Sequence, residues 1–201
     1  MTNSYTETEI KLYVPDLEAV RRRLEAVGAV LSAARVFERN VRYDTPDEKL
    51  RANKAVLRLR EDTRVRLTYK DGEKSAGTHG MTRFEAELEV SDFDTMQTIL
   101  ERLGYVPFMT YEKYRTTYML EGTEVTLDEM PYGKFVEIEG QDEQIGRVLE
   151  ILQLGGAKRF PASYVVLFEN VRRHLGLAFT DLTFDNFNGI PVPVEAFEDT
   201  P

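Results

Sequence analysis

The sequence has no cysteine and no long apolar segment, and each absence excludes a class of protein. Without cysteine there is no disulfide framework, no cysteine-ligated zinc site and no thiol chemistry, which agrees with a reducing compartment. The longest uninterrupted apolar run covers residues 164–168, whereas a membrane-spanning helix needs about 18 or more apolar residues. Residues 1–13 lack the basic start and apolar centre of a signal peptide. We therefore expect a soluble, cytoplasmic protein with no membrane partner.

The charge of the chain also limits its partners. Of the 201 residues, 42% are hydrophobic and 30% are charged, which is the balance of a globular chain with a substantial core. The formal net charge is -9, so we expect no nucleic-acid partner. Residues 35–74 nevertheless contain twelve Lys or Arg against eight Asp or Glu. Positive charge is therefore concentrated in one region of an acidic protein.

Alternation of charged and apolar residues is the dominant pattern, and it predicts β-strands. Between residues 5 and 14, Glu7, Glu9 and Lys11 occupy odd positions, and Ile10 and Leu12 occupy even ones. The same alternation recurs at residues 57–60, 64–70, 83–90, 113–115, 125–128 and 136–139. With residues 37–43 this gives about eight strands, which are mostly antiparallel because their connections are short.

Helical spacing is confined to a few segments. The first has Leu17, Val20, Leu24 and Val27 on one face, after Asp16 as N-cap and before a glycine. A shift of 76 residues places this segment on a second helix over residues 93–103, which indicates an internal duplication. A third copy is expected over residues 137–155, and a fourth helix over residues 164–175. We assign residues 1–176 to one domain and expect residues 177–201, with three prolines, to form a loosely packed tail in which Phe184 and Phe187 dock back on the domain.

The charged strand faces have two interpretations. They are usually the solvated side of an antiparallel sheet. Here the charged positions instead repeat Glu-x-Glu three times and Arg-x-Arg or Lys-x-Arg three times, without the usual mixture of uncharged polar residues. About eight strands can close into a barrel, which removes the exposed edges. We therefore predict an α+β fold, an eight-stranded antiparallel β-barrel tunnel with a charged lumen and helices packed outside.

A lumen that is dense in both charges points to a ligand, because desolvated ion pairs often cost more than their attraction returns. Convergent Arg and Lys side chains match a polyanion such as triphosphate. Convergent carboxylates would repel that anion but can hold Mg²⁺, which commonly uses one or two carboxylates together with phosphate oxygens. Acids and bases together therefore predict a metal with a phosphorylated small molecule.

Six sequence blocks resemble, in order and spacing, the CYTH superfamily, also called the triphosphate tunnel metalloenzymes. The blocks are Glu-Thr-Glu-Ile-Lys at 7–11, Leu-Arg-Leu-Arg at 57–60, Thr-Tyr-Lys at 68–70, Arg-Phe-Glu-Ala-Glu at 83–87, Lys-Tyr-Arg at 113–115, and Phe-Val-Glu-Ile-Glu at 135–139 after Asp128. The resemblance covers residues 5–175. It implies an eight-stranded tunnel in which bases bind a triphosphate and acids bind Mg²⁺ or Mn²⁺.

The resemblance also implies roles for individual residues. The metal ligands would be Glu7, Glu9 and Glu139, with Glu85, Glu87, Asp128 and Glu137 as a second acidic group. The triphosphate would be bound by Lys11, Arg58, Arg60, Lys70 and Arg115. The catalytic residues would be Lys113, Lys11 and Arg60, with Lys113 orienting or deprotonating the attacking group.

Three functions stay open at this point. The first is hydrolysis of tripolyphosphate, thiamine triphosphate or a nucleoside triphosphate, and the second is conversion of ATP to cyclic AMP and pyrophosphate by a class IV adenylate cyclase. The third is non-catalytic binding of phosphorylated ligands, against which the full set of acids argues. Some class IV cyclases carry a His-Phe pair before the first acidic motif, whereas residues 1–6 here read MTNSYT. We therefore expect a triphosphatase, acting as a monomer or homodimer.

Overall fold

The computed structural model describes residues 6–76 and 80–198, with the backbone alone for residues 6, 7, 72–76 and 80–83. Its strands are β1 Thr6–Tyr13, β2 Val30–Asp44, β3 Val56–Glu61, β4 Val65–Ala76, β5 Gly80–Val90, β6 Val106–Leu120, β7 Thr123–Met130, β8 Gly133–Glu139 and β9 Lys158–Arg159. Its helices are α1 Leu17–Ala26, α2 Lys49–Ala52, α3 Phe93–Arg102, α4 Asp142–Ile151 and α5 Tyr164–Leu175, and residues Val194–Phe197 form a 3-10 helix. Among the described residues, no helix combines the length and the apolar character needed to cross a membrane.

Strands β1 to β8 form a ring. Their order is β5-β4-β3-β2-β6-β7-β8-β1, and every neighbouring pair is antiparallel. The two ends of this order meet where β1 pairs with β5, from Thr6 opposite Phe84 to Glu9 opposite Met81. The predicted eight-stranded antiparallel barrel is therefore confirmed. The two-residue strand β9, which the sequence did not predict, pairs with the other end of β1.

The apolar strand faces lie outside the ring and are covered by helices. Ile10 and Leu12 of β1 pack in one core with Leu24 of α1 and Ile145 of α4. A second core joins Leu59 of β3 to residues of α3. Because side chains alternate along a strand, the charged residues between these apolar positions face inward. Helices outside and charges inside are thus confirmed.

The internal duplication appears as two strand-helix-strand units, β1-α1-β2 and β5-α3-β6. Asp16 caps α1 by accepting hydrogen bonds from the backbone of Glu18 and Ala19, and Asp92 caps α3 by accepting one from the backbone of Thr95. Each helix is followed by a glycine with positive φ, Gly28 at 77° and Gly104 at 91°. The second strands of the two units, β2 and β6, pair with each other.

The tail packs more tightly than expected, although Phe184 and Phe187 dock on the barrel domain as the sequence suggested. Leu182, Phe187 and Phe197 are buried, in a core that includes Phe135 of β8 and Phe168 of α5. The apolar side chains of the tail cover aromatic residues at one end of the barrel, and prolines limit regular structure there without preventing burial. The described part of the tail therefore helps to close that end of the barrel.

Candidate functional site

The barrel encloses a cavity of about 500 Å³, a volume suited to a small-molecule ligand. Eleven of the predicted site residues line it: Glu9, Lys11, Arg58, Arg60, Lys70, Glu85, Glu87, Lys113, Arg115, Glu137 and Glu139. Asp128 lies directly behind this lining, within hydrogen-bond distance of two of the bases. The Glu7 side chain lies outside the described residues. The structure therefore brings together in one bore all the predicted residues whose side chains it describes.

Asp128 is the fully buried centre of the innermost ion cluster. It accepts hydrogen bonds from Lys113 Nζ at 3.0 Å, from Arg115 Nε at 2.7 Å and Nη2 at 2.6 Å, and from the Tyr164 hydroxyl at 2.8 Å. Because charge-assisted bonds of this kind fix side-chain geometry, Asp128 positions both bases. Its metal-ligand role stays a prediction, since its oxygens here face donors.

Lys11 and Glu137 form a second buried pair, at opposed positions on β1 and β8. Lys11 Nζ lies 2.6 Å from Glu137 Oε1 and 4.4 Å from the centre of the Tyr164 ring, and Glu137 also accepts a hydrogen bond from Arg115. Burial alone would lower the pKa of Lys11, but Glu137 and then Glu9 raise it. Burial would raise the pKa of Glu137, yet Lys11 and Arg115 hold it well below its usual range. The pair is therefore ionised at neutral pH.

A third cluster lies on β3, β4 and β5. Arg60 Nη2 is 2.9 Å from Glu87 Oε2, and Arg58 donates to the Tyr111 hydroxyl at 3.1 Å and to Thr68 Oγ1 at 3.2 Å. Burial would raise the pKa of Tyr111, but the neighbouring Arg58 lowers it. Two neutral acceptors, together with the Glu87 carboxylate at 3.7 Å, therefore hold the Arg58 guanidinium in the bore.

Lys70 and Glu85 complete the β4–β5 side of the lining. They occupy opposed positions on these two strands and form an ion pair. The predicted base and the predicted acid thus lie next to each other at the cavity wall.

Glu38 joins these clusters, and the sequence interpretation missed it. Its carboxylate is 2% exposed, 3.8 Å from Arg60, 3.6 Å from Lys113 and 3.9 Å from Arg115. Burial raises the pKa of Glu38, but Lys113, Arg115 and Arg60 together lower it to about 2. In the predicted strand at 37–43, Glu38 and Arg42 are two periods of the alternation apart and share one face, opposite Phe37, Val41 and Tyr43, and this pattern was the signal that could have found Glu38.

A row of acids lies on the β7, β8 and β1 side of the cavity. Glu124, Glu139 and Glu9 occupy register-matched positions on these three adjacent strands. Burial, followed by repulsion from Glu124 and Glu9, raises the pKa of Glu139 to about 7. Glu124 was also missed, although it continues the alternation of Thr126 and Asp128 toward the start of β7.

The row of acids and the aromatic core occupy different ends of the bore. Along β8, Phe135 belongs to the aromatic core that closes one end, Glu137 follows, and Glu139 is the furthest from that core. The acids are therefore placed toward the other end of the bore, which we call the mouth.

These acids fit a divalent cation that shares its ligands with a substrate. Among the side chains that the structure describes, no three acidic or histidine groups converge closely enough to enclose an ion by themselves. Mg²⁺ commonly takes one or two carboxylates and fills its other positions with water and phosphate oxygens. Burial and the neighbouring carboxylates of Glu124 and Glu9 raise the pKa of Glu139, and a divalent cation placed in this row would offset both effects.

Comparisons with known proteins agree with this architecture. A candidate adenylate cyclase of Methanocaldococcus jannaschii is 28% identical over 149 residues, 73% of this chain and 83% of the relative. A solved Pyrococcus horikoshii OT3 structure superposes with a TM-score of 0.67 at 24% identity, covering 79% of this chain and 96% of that one. A Hippeastrum protein, described as a candidate adenylyl cyclase with a dominant triphosphatase activity, superposes with a TM-score of 0.62 at 24% identity, covering 81% and 95%.

The family comparison covers most of the chain. The CYTH domain model matches residues 5–161, which include strands β1 to β9 and every predicted site residue. The chain therefore belongs to the CYTH domain family.

Proposed function

We propose that this protein is a divalent-metal-dependent triphosphatase that hydrolyses tripolyphosphate, thiamine triphosphate or a nucleoside triphosphate. The observation that carries the proposal is the convergence of bases from β1, β3 and β6 on one bore that also contains a row of acids. Membership of the CYTH domain family and the triphosphatase activity described for the Hippeastrum protein support it.

The bases suit a triphosphate because the protein already holds them in place. Asp128 fixes Lys113 and Arg115, and Glu87 fixes Arg60. A bound polyanion would therefore meet side chains that are ordered in advance, which is the arrangement that stabilises developing charge most effectively. Arg can present two parallel donors to phosphate oxygens, and Lys acts as a compact positive charge.

The acids at the mouth suit Mg²⁺ or Mn²⁺. Glu9 and Glu139, with Glu7 as the third predicted ligand, would hold the ion beside the substrate phosphates. When bound, such an ion would neutralise phosphate charge and polarise the phosphorus–oxygen bonds. The contacts of Asp128 and Glu137 with bases suit these two acids to positioning the bases.

The reaction needs alignment and charge neutralisation more than covalent chemistry by the protein. A water oxygen would bond to the terminal phosphorus while the bridging bond breaks, which leaves the rest of the substrate with the electrons of that bond. Lys11 and the arginines would stabilise this charge, and the raised pKa of Lys11 keeps it cationic. Of the two predicted roles of Lys113, orienting the water suits its contacts best, because its ammonium group donates to Asp128 and lies near Glu38. The proton of the water would then pass to a phosphate oxygen of the substrate.

The alternative is adenylate cyclisation, which the name of the Methanocaldococcus relative favours. In that reaction the ribose 3′-hydroxyl of ATP attacks the α-phosphorus in the same bore. A third possibility is binding of phosphorylated ligands without turnover.

Product analysis with ATP, thiamine triphosphate and tripolyphosphate, each with Mg²⁺ or Mn²⁺, separates these functions. Free phosphate would support the triphosphatase, whereas cyclic AMP with pyrophosphate would replace it by the cyclase. Stoichiometric binding by calorimetry with no product from any substrate would leave the binding function.

A further inference from the structure

The first half of β2 departs from strand alternation. Three of its residues line the bore: Ser32, Ala33 and Val36. Three others line a hollow of about 350 Å³ on the outer surface of the barrel: Leu31, Ala34 and Arg35. Two consecutive residues, 32 and 33, therefore face the bore, and the next two, 34 and 35, face outward. The β2–β6 ladder has register shifts between Leu31 and Ala33 and between Ala33 and Val36. Such bulges occur at barrel rims and beside active sites, where they redirect side chains.

The same segment has an open edge. In the described part of the chain, β2 pairs with β3 from Arg39 to Tyr43, while the residues before Arg39 pair with β6 alone. The turn between β3 and β4 lies on the other side of this gap, and its residues Asp62, Thr63 and Arg64 line the same cavity. We call this gap the cleft, and define it by Ser32, Ala33, Val36, Asp62, Thr63 and Arg64.

The cleft lies at the mouth, beyond the inner bases. Ala33 pairs with Thr117, which pairs in turn with Thr126 of β7. Along β7, Thr126 lies between Asp128 of the innermost cluster and Glu124 of the acid row. A triphosphate held by the inner bases would therefore direct whatever is attached to it toward the cleft.

The chemistry of the cleft differs from that of the inner bore. Ser32, Ala33 and Thr63 are small and uncharged, and the open strand edge adds backbone donors and acceptors. The Asp62 carboxylate is already engaged, because it accepts from the Arg64 backbone at 2.9 Å and pairs with Arg66. The Arg64 guanidinium is engaged as well, 3.4 Å from Glu89. With both charged residues of the cleft paired, its surface offers hydrogen bonds and apolar contact to a flat, uncharged group more than to a bare phosphate chain or an organic cation.

We propose that the cleft binds the nucleoside of a nucleoside triphosphate, so that the protein prefers nucleoside triphosphates to tripolyphosphate. This inference rests on the proposed function, since it requires the triphosphate to occupy the inner bore. It adds a specificity site on β2 and on the β3–β4 turn to the charged residues of that bore.

Two adjacent alanines provide a matched test. Ala33→Trp places a large side chain in the cleft, whereas Ala34→Trp places it in the outer hollow. We would measure kcat/KM for ATP, tripolyphosphate and thiamine triphosphate, with Mg²⁺ and with Mn²⁺, for the wild-type protein and both variants. Ala33→Trp should lower the ratio of the ATP value to the tripolyphosphate value on the order of tenfold, as expected for losing one set of ligand contacts. Ala34→Trp should keep the wild-type ratio.

Three results would contradict this proposal. A wild-type ratio in Ala33→Trp, an equal loss for both substrates, or a larger loss for thiamine triphosphate than for ATP would overturn the cleft assignment. If Ala33→Trp does not fold, as judged by circular dichroism, Thr63→Trp fills the cleft from the other side and must lower the same ratio.

Failure of the proposed function can be told apart from failure of this inference. If the wild-type protein turns over no triphosphate, the proposed function fails. Calorimetric titration of wild-type protein and Ala33→Trp with a non-hydrolysable ATP analogue and with tripolyphosphate then tests the cleft by itself. A selective loss of affinity for the ATP analogue would support the cleft, and equal affinities in the two proteins would overturn it.

Discussion

At the scale of the residue, each buried charge in the bore depends on particular partners. Asp128 receives hydrogen bonds from two bases and a tyrosine, and Glu38 faces three bases without meeting any at hydrogen-bond distance. Removing one member of a buried ion pair leaves the other uncompensated, which costs far more than the pair itself contributes. Single substitutions in the bore should therefore have effects that exposed charges on the same strands do not.

Asp128→Asn should lower the free energy of unfolding by about 3–5 kcal/mol, because Lys113 and Arg115 lose their shared buried counter-charge. Glu129→Gln is the matched control on the same strand, since the exposed pair of Glu129 with Arg35 should contribute under about 1 kcal/mol. Urea denaturation of the two variants checks this. Equal losses in both would show that Asp128 is not the centre of the cluster.

Glu38 should make stability dependent on pH in the acid range. Its pKa falls from 4.5 to about 2 on folding, so its contribution is complete above about pH 4.5 and is lost as pH falls toward 2. Glu38→Gln should therefore be about 3 kcal/mol less stable than wild type at pH 7, a difference that shrinks as the solution is acidified. Thermal unfolding from pH 7 to pH 2 measures the gap, and a gap that stays constant would contradict the assignment.

Arg60→Ala should reduce kcat/KM for a triphosphate substrate by an amount equivalent to about 2–5 kcal/mol, because a desolvated contact to the phosphates is lost. Arg39→Ala is the control, since Arg39 lies on the outer face of β2 against Phe93. Steady-state kinetics with both variants tests the assignment. Wild-type kinetics in Arg60→Ala would remove it from the binding site.

At the scale of the element, sequence patterns predicted the helices and strands whose formation depends on neighbouring residues. Caps at Asp16 and Asp92 and the spacing of apolar residues after them located α1 and α3, because helix signals lie within a few residues of the helix. Alternation located the strands and the side of each that carries charge. It did not locate the bulges of β2, since these depend on the register against β6, nor the tail, whose burial depends on distant aromatic residues.

Most of the candidate site could also be predicted from the sequence. The alternating charged blocks identified most of the bore lining, whereas Glu38 and Glu124 lay outside the recognised blocks. Which acid pairs with which base could not be predicted, because Lys11 and Glu137, for example, are opposed only through the β1–β8 register.

The packing of the tail on the barrel can be tested by its effect on stability. Phe197→Ala should destabilise the protein by about 3–5 kcal/mol, because its ring contacts Tyr132 and Phe135 in the aromatic core at the closed end of the barrel. Val166→Ala on the exposed side of α5 is the control and should change stability by less than about 1 kcal/mol. A denaturation midpoint that is unaffected by Phe197→Ala would mean that the tail does not pack on the barrel in solution.

At the scale of the whole molecule, the ring separates two environments. Its outer face is an apolar surface covered by helices. Its inner face carries charged side chains whose burial costs free energy, which is expected where they serve to bind a ligand. The acidic protein thereby gathers bases inside the bore and acids at its mouth. The proposed triphosphate would occupy the inner part of the bore and the proposed metal its mouth.

The most direct test of this account is phosphate release from ATP and tripolyphosphate, followed in one assay before and after the addition of excess chelator. The account predicts release that requires Mg²⁺ or Mn²⁺, stops on chelation and resumes when the metal is restored. Release that continues undiminished in chelator, or no release from either substrate at any metal concentration, would contradict it.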